Sequence, residues 1–252
     1  MLFRSTIATL IGGTLAAGAA NAFNMVIETD IDQLMNRTSK RPIVNNDISE
    51  NQALTFASII TILSLAIFWF FTNPLATALT VSAIAFYVFG YTVGLKRRTP
   101  QNIVWGGIAG CLPVLIGWAA VTNSLSWTAF WFFMVIFFWT PPHFWALAIK
   151  YKDDYAAAGI PMLPVVAPIN KVEQQMWFHT ISMVIVSFIT MASANVDIWL
   201  YPANLVISAI FVAQIARLRR DDISRSASRI FHGSITYLSI YSCLLVVGAL
   251  LK

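Results

Sequence analysis

The chain has 252 residues, of which 58% are hydrophobic and only 11% are charged, whereas a soluble globular domain is about 25% charged. This composition excludes a soluble domain and predicts an integral membrane protein. The net charge of +5 does not favour nucleic-acid binding, because the cations are spread over several short loops, as the orientation signals of membrane proteins are.

Apolar segments long enough to cross a bilayer, which takes about 20 residues of helix, recur along the chain. We place eight of them near residues 7–27, 53–72, 75–94, 103–121, 127–149, 176–196, 199–216 and 231–251. No alternation typical of strands competes with this pattern. The sequence therefore predicts an all-α polytopic membrane helical bundle with about eight transmembrane helices, forming a single domain over residues 1–252. Cys111 and Cys243 fall in apolar segments and are expected to be buried thiols without a disulfide.

The connections between the spans are of two kinds, and they orient the chain. The charged kind comprises residues 28–50, 95–102, 150–175 and 217–230. These loops carry all of the 16 lysines and arginines except Arg4 and Lys252. With eight spans they share one face, which the positive-inside rule places in the cytoplasm. Both chain ends then lie on the other side.

The first charged loop directly follows the first apolar segment and carries polar residues at helical spacing. Asn24, Glu28 and Asp32 are four residues apart, so a helix continuing from the first span would place them along one stripe. Such oxygen ligands suit Mg²⁺, which takes one or two carboxylates and completes its shell with water and phosphate oxygens. Arg37 and Arg41 follow, and guanidinium groups bind phosphate oxygens in pairs. The pattern predicts a magnesium diphosphate site; a solvated loop that ends the helix is the alternative.

A second acidic cluster lies in WTPPHFWALAIKYKDDYAAAGIPMLP, residues 139–164. Helical spacing places four residues on one face: His143, Leu147, Lys150 and Asp154. Asp153 and Tyr155 flank the end of this helix. Pro141 and Pro142 predict a helix break near His143. The sequence is equally consistent with a packing role for His143 and with a contact to substrate. Two acidic clusters on one membrane face would hold two magnesium ions on one diphosphate.

The other charged loops are open to a simpler interpretation. Lys96, Arg97 and Arg98 either orient the chain or close over the diphosphate as a lid. Residues 217–230 are interpreted as a solvated loop that orients the chain.

At these motifs the sequence resembles the intramembrane UbiA-type prenyltransferase superfamily, over nearly the whole chain. The resemblance is carried by NMVIETDIDQLMNRTSKRP (24–42), YTVGLKRRTP (91–100) and the segment 142–164 with PHFW, DDY and AGIPMLP. His143 and the GIPMLP run favour the branch that uses heme as acceptor over the branch that uses quinone precursors.

The resemblance implies a reaction in which farnesyl diphosphate binds through Mg²⁺ and the vinyl group of heme B attacks the allylic cation, giving heme O. The implied catalytic residues are Asn24, Glu28, Asp32, His143, Asp153 and Asp154, all but His143 being metal ligands. The implied substrate-binding residues are Arg37, Arg41, Lys96, Arg97, Arg98, Lys150 and Tyr155. It also implies a bacterial inner membrane with the site on the cytoplasmic face, and a heme A synthase or terminal oxidase assembly as candidate partners.

The start of the chain departs from the superfamily, which usually has nine spans. We expect that the family's first helix is absent and that the small-residue face of span 7–27 requires a partner helix. Residues 1–22 also fit a secretory signal peptide. Two further functions remain open from the residues: a transporter of an anionic lipid or phosphate compound, and a non-catalytic oxidase assembly factor.

Overall fold

The computed structural model describes residues 2–251, which are helical over most of their length. The α-helices are α1 (Leu2–Ile27), α2 (Thr29–Leu34), α3 (Glu50–Phe71), α4 (Pro74–Ala85), α5 (Asn102–Gly106), α6 (Ile108–Thr122), α7 (Trp127–Lys150), α8 (Lys152–Ala157), α9 (Leu163–Val166), α10 (Ile169–Ser193), α11 (Tyr201–Ala216) and α12 (Ile223–Leu250). A π-helix, Phe86–Leu95, continues α4, and a 3₁₀ turn, Ile198–Leu200, leads into α11. Lys252, one of the two cations outside the charged loops, lies outside the described residues.

Eight helical segments among residues 2–251 are long and apolar enough to cross a membrane. Each coincides with one of the predicted spans, so the expectation of an all-α polytopic bundle with about eight transmembrane helices is confirmed. The predicted starts at 176 and 231 fall well inside the helices, since α10 begins at Ile169 and α12 at Ile223. Hydropathy detects only the apolar part of a helix. Helix α12 begins with a charged turn, in which the Asp222 side chain accepts a hydrogen bond from the Arg225 N–H, so its start was placed too late.

The chain divides into two compact units. The first runs to Leu125 and takes in Asp153–Pro161, and the second comprises Ser126–Lys152 and the chain from Met162 onward. The expectation of a single domain stays a prediction.

Close helix packing holds the first unit together. The Ser64 hydroxyl of α3 donates to the Gly12 carbonyl of α1 at 2.7 Å. A Cβ at Gly12 would lie 2.9 Å from the Phe68 ring, so only glycine allows this approach. Gly12 of α1 thus packs against α3 within this chain. The expectation that the small-residue face requires a further, absent helix stays a prediction. Asn73 caps α4 and also donates to the Ala119 carbonyl of α6 at 2.6 Å.

Polar side chains join the four long helices of the second unit. Thr128 at the start of α7 bonds Ser193 at the end of α10. Ser187 of α10 accepts from the Asn204 amide of α11 through its hydroxyl at 2.9 Å. The Ser187 carbonyl accepts from the Tyr241 hydroxyl of α12, also at 2.9 Å. Hydrogen bonds of this kind satisfy polar groups that would otherwise be buried among apolar helices.

Three expectations about local structure are wrong. Pro141 and Pro142 lie inside α7 and do not break it. The helical face predicted to run from His143 to Asp154 ends at Lys150, because Tyr151 takes a non-helical conformation before α8 begins. Cys111 is buried as expected, but Cys243 on α12 is exposed.

The orientation of the spans can be tested by labelling cysteines introduced into a Cys111→Ala, Cys243→Ala background. Asn45, Ser124 and Asn170 are exposed loop or helix-start positions, and Ser124 avoids the left-handed backbone of Asn123. We expect cysteine at Asn45 or Asn170 to be shielded from an impermeant thiol reagent in intact cells. Cysteine at Ser124 should react. The reverse labelling would place the charged loops outside the cytoplasm.

Candidate active site

The predicted polar stripe forms where α1 passes into α2. Glu28 separates the two helices, yet its N–H donates to the Asn24 carbonyl and the Asp32 N–H donates to the Glu28 carbonyl. Helical spacing therefore continues across the junction, as expected. Asn24, Glu28 and Asp32 are 4%, 0% and 2% exposed. Two carboxylates this deeply buried need partners, because an isolated buried charge is strongly destabilising.

Glu28 pairs with a residue of the second charged loop, residues 95–102. The Lys96 ammonium lies 2.5 Å from Glu28 Oε2, and the Lys96 side chain is itself only 13% exposed. Glu28 Oε1, in contrast, is buried without any hydrogen-bond partner. Lys96 therefore does more than orient the chain: it neutralises a buried carboxylate, one oxygen of which remains available.

The π-helix Phe86–Leu95 explains how the second motif reaches the first. The Tyr87 hydroxyl lies 3.5 Å from the Asn21 side chain, the Asn24 amide donates to Thr92 Oγ1 at 3.2 Å, and Lys96 pairs with Glu28. At about 100° per residue, an α-helix would place Tyr87 and Lys96 on opposite faces. The i→i+5 bonding of a π-helix winds the chain more slowly, so that all three contacts face α1.

The remaining acids of the first motif are also paired with cations. Arg41 donates to Asp32 Oδ2 at 2.5 Å. The Arg97 guanidinium donates two hydrogen bonds of 2.8 Å to the Asp30 carboxylate, and this contact lowers the pKa of the Asp30 carboxyl. The Asp30 pair is largely exposed, so it contributes little to stability. Arg98 is exposed.

In the second acidic cluster, Asp154 contacts the first motif, and both belong to the first unit. Its carboxylate accepts from the Asn36 amide at 2.9 Å and from the Arg37 backbone N–H at 3.3 Å. Tyr155 is buried beside the Arg37 guanidinium, and burial raises the pKa of its phenol. Asp153 is exposed on the adjoining turn. The two acidic segments were expected to come together. Asp154 does contact the first segment, whereas Asp153 is exposed.

His143 and Lys150 belong to the second unit. The His143 ring is buried between Trp139 and Phe231, at ring-centroid distances of 4.2 and 4.5 Å, and its Nδ1 lies 2.7 Å from Ser234 Oγ. Lys150 is exposed, with its ammonium 5.5 Å from the Tyr151 ring. These contacts give His143 a packing partner on each side.

The carboxylates suit magnesium in type and number. Among residues 2–251 no group of three or more His, Cys, Asp or Glu side chains is close enough to hold a metal. Mg²⁺ does not require such a group, since one or two carboxylates with water and phosphate oxygens suffice. The unpartnered Glu28 Oε1 is a buried acceptor of the kind that a missing ion explains, so the residues present fit this metal.

Two asparagines at the site were not predicted. Asn36 holds Asp154, and Asn102, fully buried at the start of α5, donates to the Lys96 carbonyl at 3.1 Å. The sequence gives little indication of either asparagine. An asparagine at the start of an apolar helix, such as Asn102, is nevertheless unusual enough to mark a candidate site residue.

Comparison with known proteins identifies relatives over almost the whole length. The family model of the UbiA prenyltransferase family matches residues 2–239. A protein named protoheme IX farnesyltransferase from Frankia alni is 49% identical over 245 residues, covering 96% of this chain and 84% of the relative. A protein of the same name from Mycolicibacterium smegmatis is 43% identical over 247 residues, covering 96% of this chain and 79% of the relative.

Solved structures share the fold at low sequence identity. A UbiA homolog from Archaeoglobus fulgidus bound to DMAPP and Mg²⁺ superposes with a TM-score of 0.76 at 15% identity, covering 99% of this chain and 88% of that one. A structure of digeranylgeranylglyceryl phosphate synthase gives 0.81 at 18% identity, covering 98% and 86%.

The ion pair between Glu28 and Lys96 predicts a specific pattern of stability. Lys96→Met leaves the Glu28 charge buried and unpaired, so it should lower the free energy of unfolding by about 3–5 kcal/mol. Arg97→Met, a matched change in an exposed pair, should cost less than about 1 kcal/mol. Denaturant titration in detergent measures both. Equal losses for the two variants would show that the buried pair has no special role.

Proposed function

The chain belongs to the UbiA prenyltransferase family, and we propose that it transfers the farnesyl group of farnesyl diphosphate to a vinyl group of heme B with addition of one water, forming heme O and diphosphate. It is a prenyltransferase and a multi-pass membrane protein. The observation that carries the acceptor and donor is the identity of 49% over 96% of this chain to a protein named protoheme IX farnesyltransferase. Family membership favours an enzyme over the transporter and the assembly factor.

The arrangement of charges supports a diphosphate as the donor. Three acids of the first motif are each matched by a cation: Glu28 with Lys96, Asp30 with Arg97, and Asp32 with Arg41. Arriving phosphate oxygens can take these cations, with the guanidinium groups binding in pairs. The carboxylates are then free to act as metal ligands. Binding thus exchanges one set of ion pairs for another without leaving a buried charge unmatched.

Each predicted group has a proposed role in this exchange. Asn24, Glu28 and Asp32, with Asp153 and Asp154, would hold Mg²⁺, which supplies positive charge against the leaving diphosphate. Arg37, Arg41 and Lys96 neutralise the phosphate oxygens as negative charge develops, and Arg97 and Arg98 add to the positive field. Lys150, in the second unit, is retained as a candidate substrate-binding residue. The Tyr155 phenol can donate a hydrogen bond, and burial raises its pKa.

We propose the aromatic surroundings of His143, in the second unit, as candidate heme contacts. Flat aromatic surfaces suit a porphyrin, and His143 lies among three such rings: Trp139, Phe144 and Phe231. We retain His143 as a candidate catalytic residue on this basis. The charged loops would face the cytoplasm of a bacterial inner membrane, with heme A synthase or terminal oxidase assembly as candidate partners.

The proposed reaction is tested directly with the purified protein, heme B, Mg²⁺ and prenyl diphosphates of several lengths. Mass spectrometry of the heme should show addition of one farnesyl group and one water. Turnover of a quinone precursor but not of heme would indicate a different acceptor. Absence of transfer to either, with magnesium present, would contradict the proposal.

The metal-ligand assignment predicts that Asp32→Asn lowers turnover by at least about 100-fold, because a neutral amide is a much weaker magnesium ligand. Asp154→Asn should act similarly. Asp47→Asn, the same change at an exposed position of the loop after α2, is the matched control and should leave turnover within about twofold. The magnesium concentration giving half-maximal rate should rise for the first two variants only. Normal turnover by Asp32→Asn would remove it from the site.

A further inference from the structure

An open groove of about 430 Å³ lies between the end of α11 and the beginning of α12, within the second unit. Its volume is in the range of about 300–1,000 Å³ that is typical of sites for small organic ligands. Three basic side chains of α12 line it: Arg225, Arg229 and His232. No acidic side chain of residues 2–251 lines it, so the groove favours a ligand of negative charge.

The groove lies on a different side of α12 from the aromatic surroundings of His143. The Ser234 hydroxyl of α12 bonds the His143 ring, and Arg225 precedes Ser234 by nine residues. At about 100° per residue, this spacing places Arg225 and Ser234 on opposite faces of the helix. The groove is therefore separate from the candidate heme contacts, and its basic residues are available to a different ligand.

The two arginines of the groove are only weakly matched by acids. Arg229 lies 3.4 Å from Asp221, and both side chains of this pair are largely exposed, so the pair contributes little to stability. The Asp222 carboxylate accepts from the backbone N–H of Arg225. In the described part of the chain, no acidic side chain pairs with the Arg225 guanidinium. Both guanidinium groups can thus bind phosphate oxygens.

A polar side chain held against a glycine forms the α11 side of the groove. Gln214 lines the groove, and its Oε1 is buried without a hydrogen-bond partner. A Cβ on Gly233 of α12 would overlap the Gln214 amide, so only glycine admits the amide at this position. An unpaired buried acceptor is unfavourable, and a ligand hydroxyl in the groove would satisfy it.

Beyond the basic residues, the same seam between α11 and α12 becomes apolar. Thr236 and Ile240 follow His232 at spacings of four residues, which keeps them on one face of α12. On α11, Ile210 precedes Gln214 by four residues and shares its face. Ile210 and Ile240 are both exposed. The groove therefore leads from cations at the end of the membrane spans to aliphatic side chains within them.

We propose that this groove binds the headgroup of an anionic phospholipid, whose acyl chains lie along the seam between α11 and α12. Arg225 and Arg229 bind the phosphate, a headgroup hydroxyl donates to Gln214 Oε1, and the acyl chains contact Ile210 and Ile240. Basic pockets between transmembrane helices bind such headgroups in other membrane proteins. This site goes beyond the proposed function, because it requires neither a prenyl donor nor heme.

Charge and polarity together favour this occupant over two others. A soluble phosphate compound would match the arginines but would make no contact with the aliphatic side chains that continue the groove. A zwitterionic phospholipid would match the aliphatic side chains, but its ammonium group would face two guanidinium groups. Only a ligand with an anionic head and an apolar tail matches both parts.

The test compares phosphatidylglycerol, which is anionic, with phosphatidylcholine, which is zwitterionic, both with dioleoyl chains. Each lipid is titrated into the purified protein in detergent, and native mass spectrometry measures the bound fraction. We expect the protein to bind phosphatidylglycerol at least about tenfold more tightly, since two cations near a membrane surface together contribute on the order of 30-fold. Arg225→Gln combined with Arg229→Gln should reduce this preference to within about threefold.

Matched variants separate the groove from the general charge of the loop. Arg217→Gln combined with Arg220→Gln removes the same charge at exposed positions that do not line the groove, so it should keep the preference. Thr236→Trp fills the groove from an exposed position without changing charge, so it should weaken the binding of phosphatidylglycerol. Ile235→Trp, at an exposed position outside the groove, should not.

Glycerol 3-phosphate, added without lipid, distinguishes a soluble phosphate compound from a phospholipid. If it raises the thermal unfolding temperature as much as phosphatidylglycerol does, a soluble compound occupies the groove and the lipid proposal is overturned. Equal affinity of the unmodified protein for both lipids also overturns it. The same holds for an equal loss of preference in the two double-arginine variants, or for unchanged lipid binding by Thr236→Trp.

Discussion

The buried ion pair between Glu28 and Lys96 is the contact on which the arrangement of the site depends. Glu28 is fully buried at the junction of α1 and α2, where a lone carboxylate would be strongly unfavourable. Lys96 can reach it only because the chain from Phe86 to Leu95 is wound as a π-helix. The same winding places Thr92 Oγ1 within hydrogen-bonding distance of the Asn24 amide. One local change of helix type thus brings two distant motifs together.

A site built from matched opposite charges is suited to a ligand that carries many charges itself. Buried ion pairs contribute little net stability but are costly to break from one side. At the proposed site, magnesium would bind Asp32 and phosphate oxygens would bind Arg41, so neither member of the pair would be left unpaired. Glu28 Oε1 has no hydrogen-bond partner, so a metal ion could bind this oxygen without first displacing Lys96.

Sequence reasoning found what depends on spacing and hydropathy. The eight spans, and the stripe of Asn24, Glu28 and Asp32, follow from counting residues along a regular helix. The π-helix could not be found in this way, because its residues are as apolar as those of an α-helix. The helical face counted from His143 to Asp154 was wrong, since a non-helical Tyr151 ends it at Lys150. The contact of Asp154 with Asn36 depends on the turn that follows, which periodicity does not describe, and its role as a ligand stays a prediction.

Helix α1 differs in chemistry between its two ends. Toward Glu28 it carries polar and ionised side chains, and toward Gly13 it carries side chains too small to fill the space beside them. Charged groups are tolerated near the membrane surface, so they lie at the end of the span. Small residues on α1 have two effects: Gly12 admits the Phe68 ring of α3, and Gly13, one position on, faces open space. A single helix can therefore pack tightly against its neighbour and still leave a cavity along its next face.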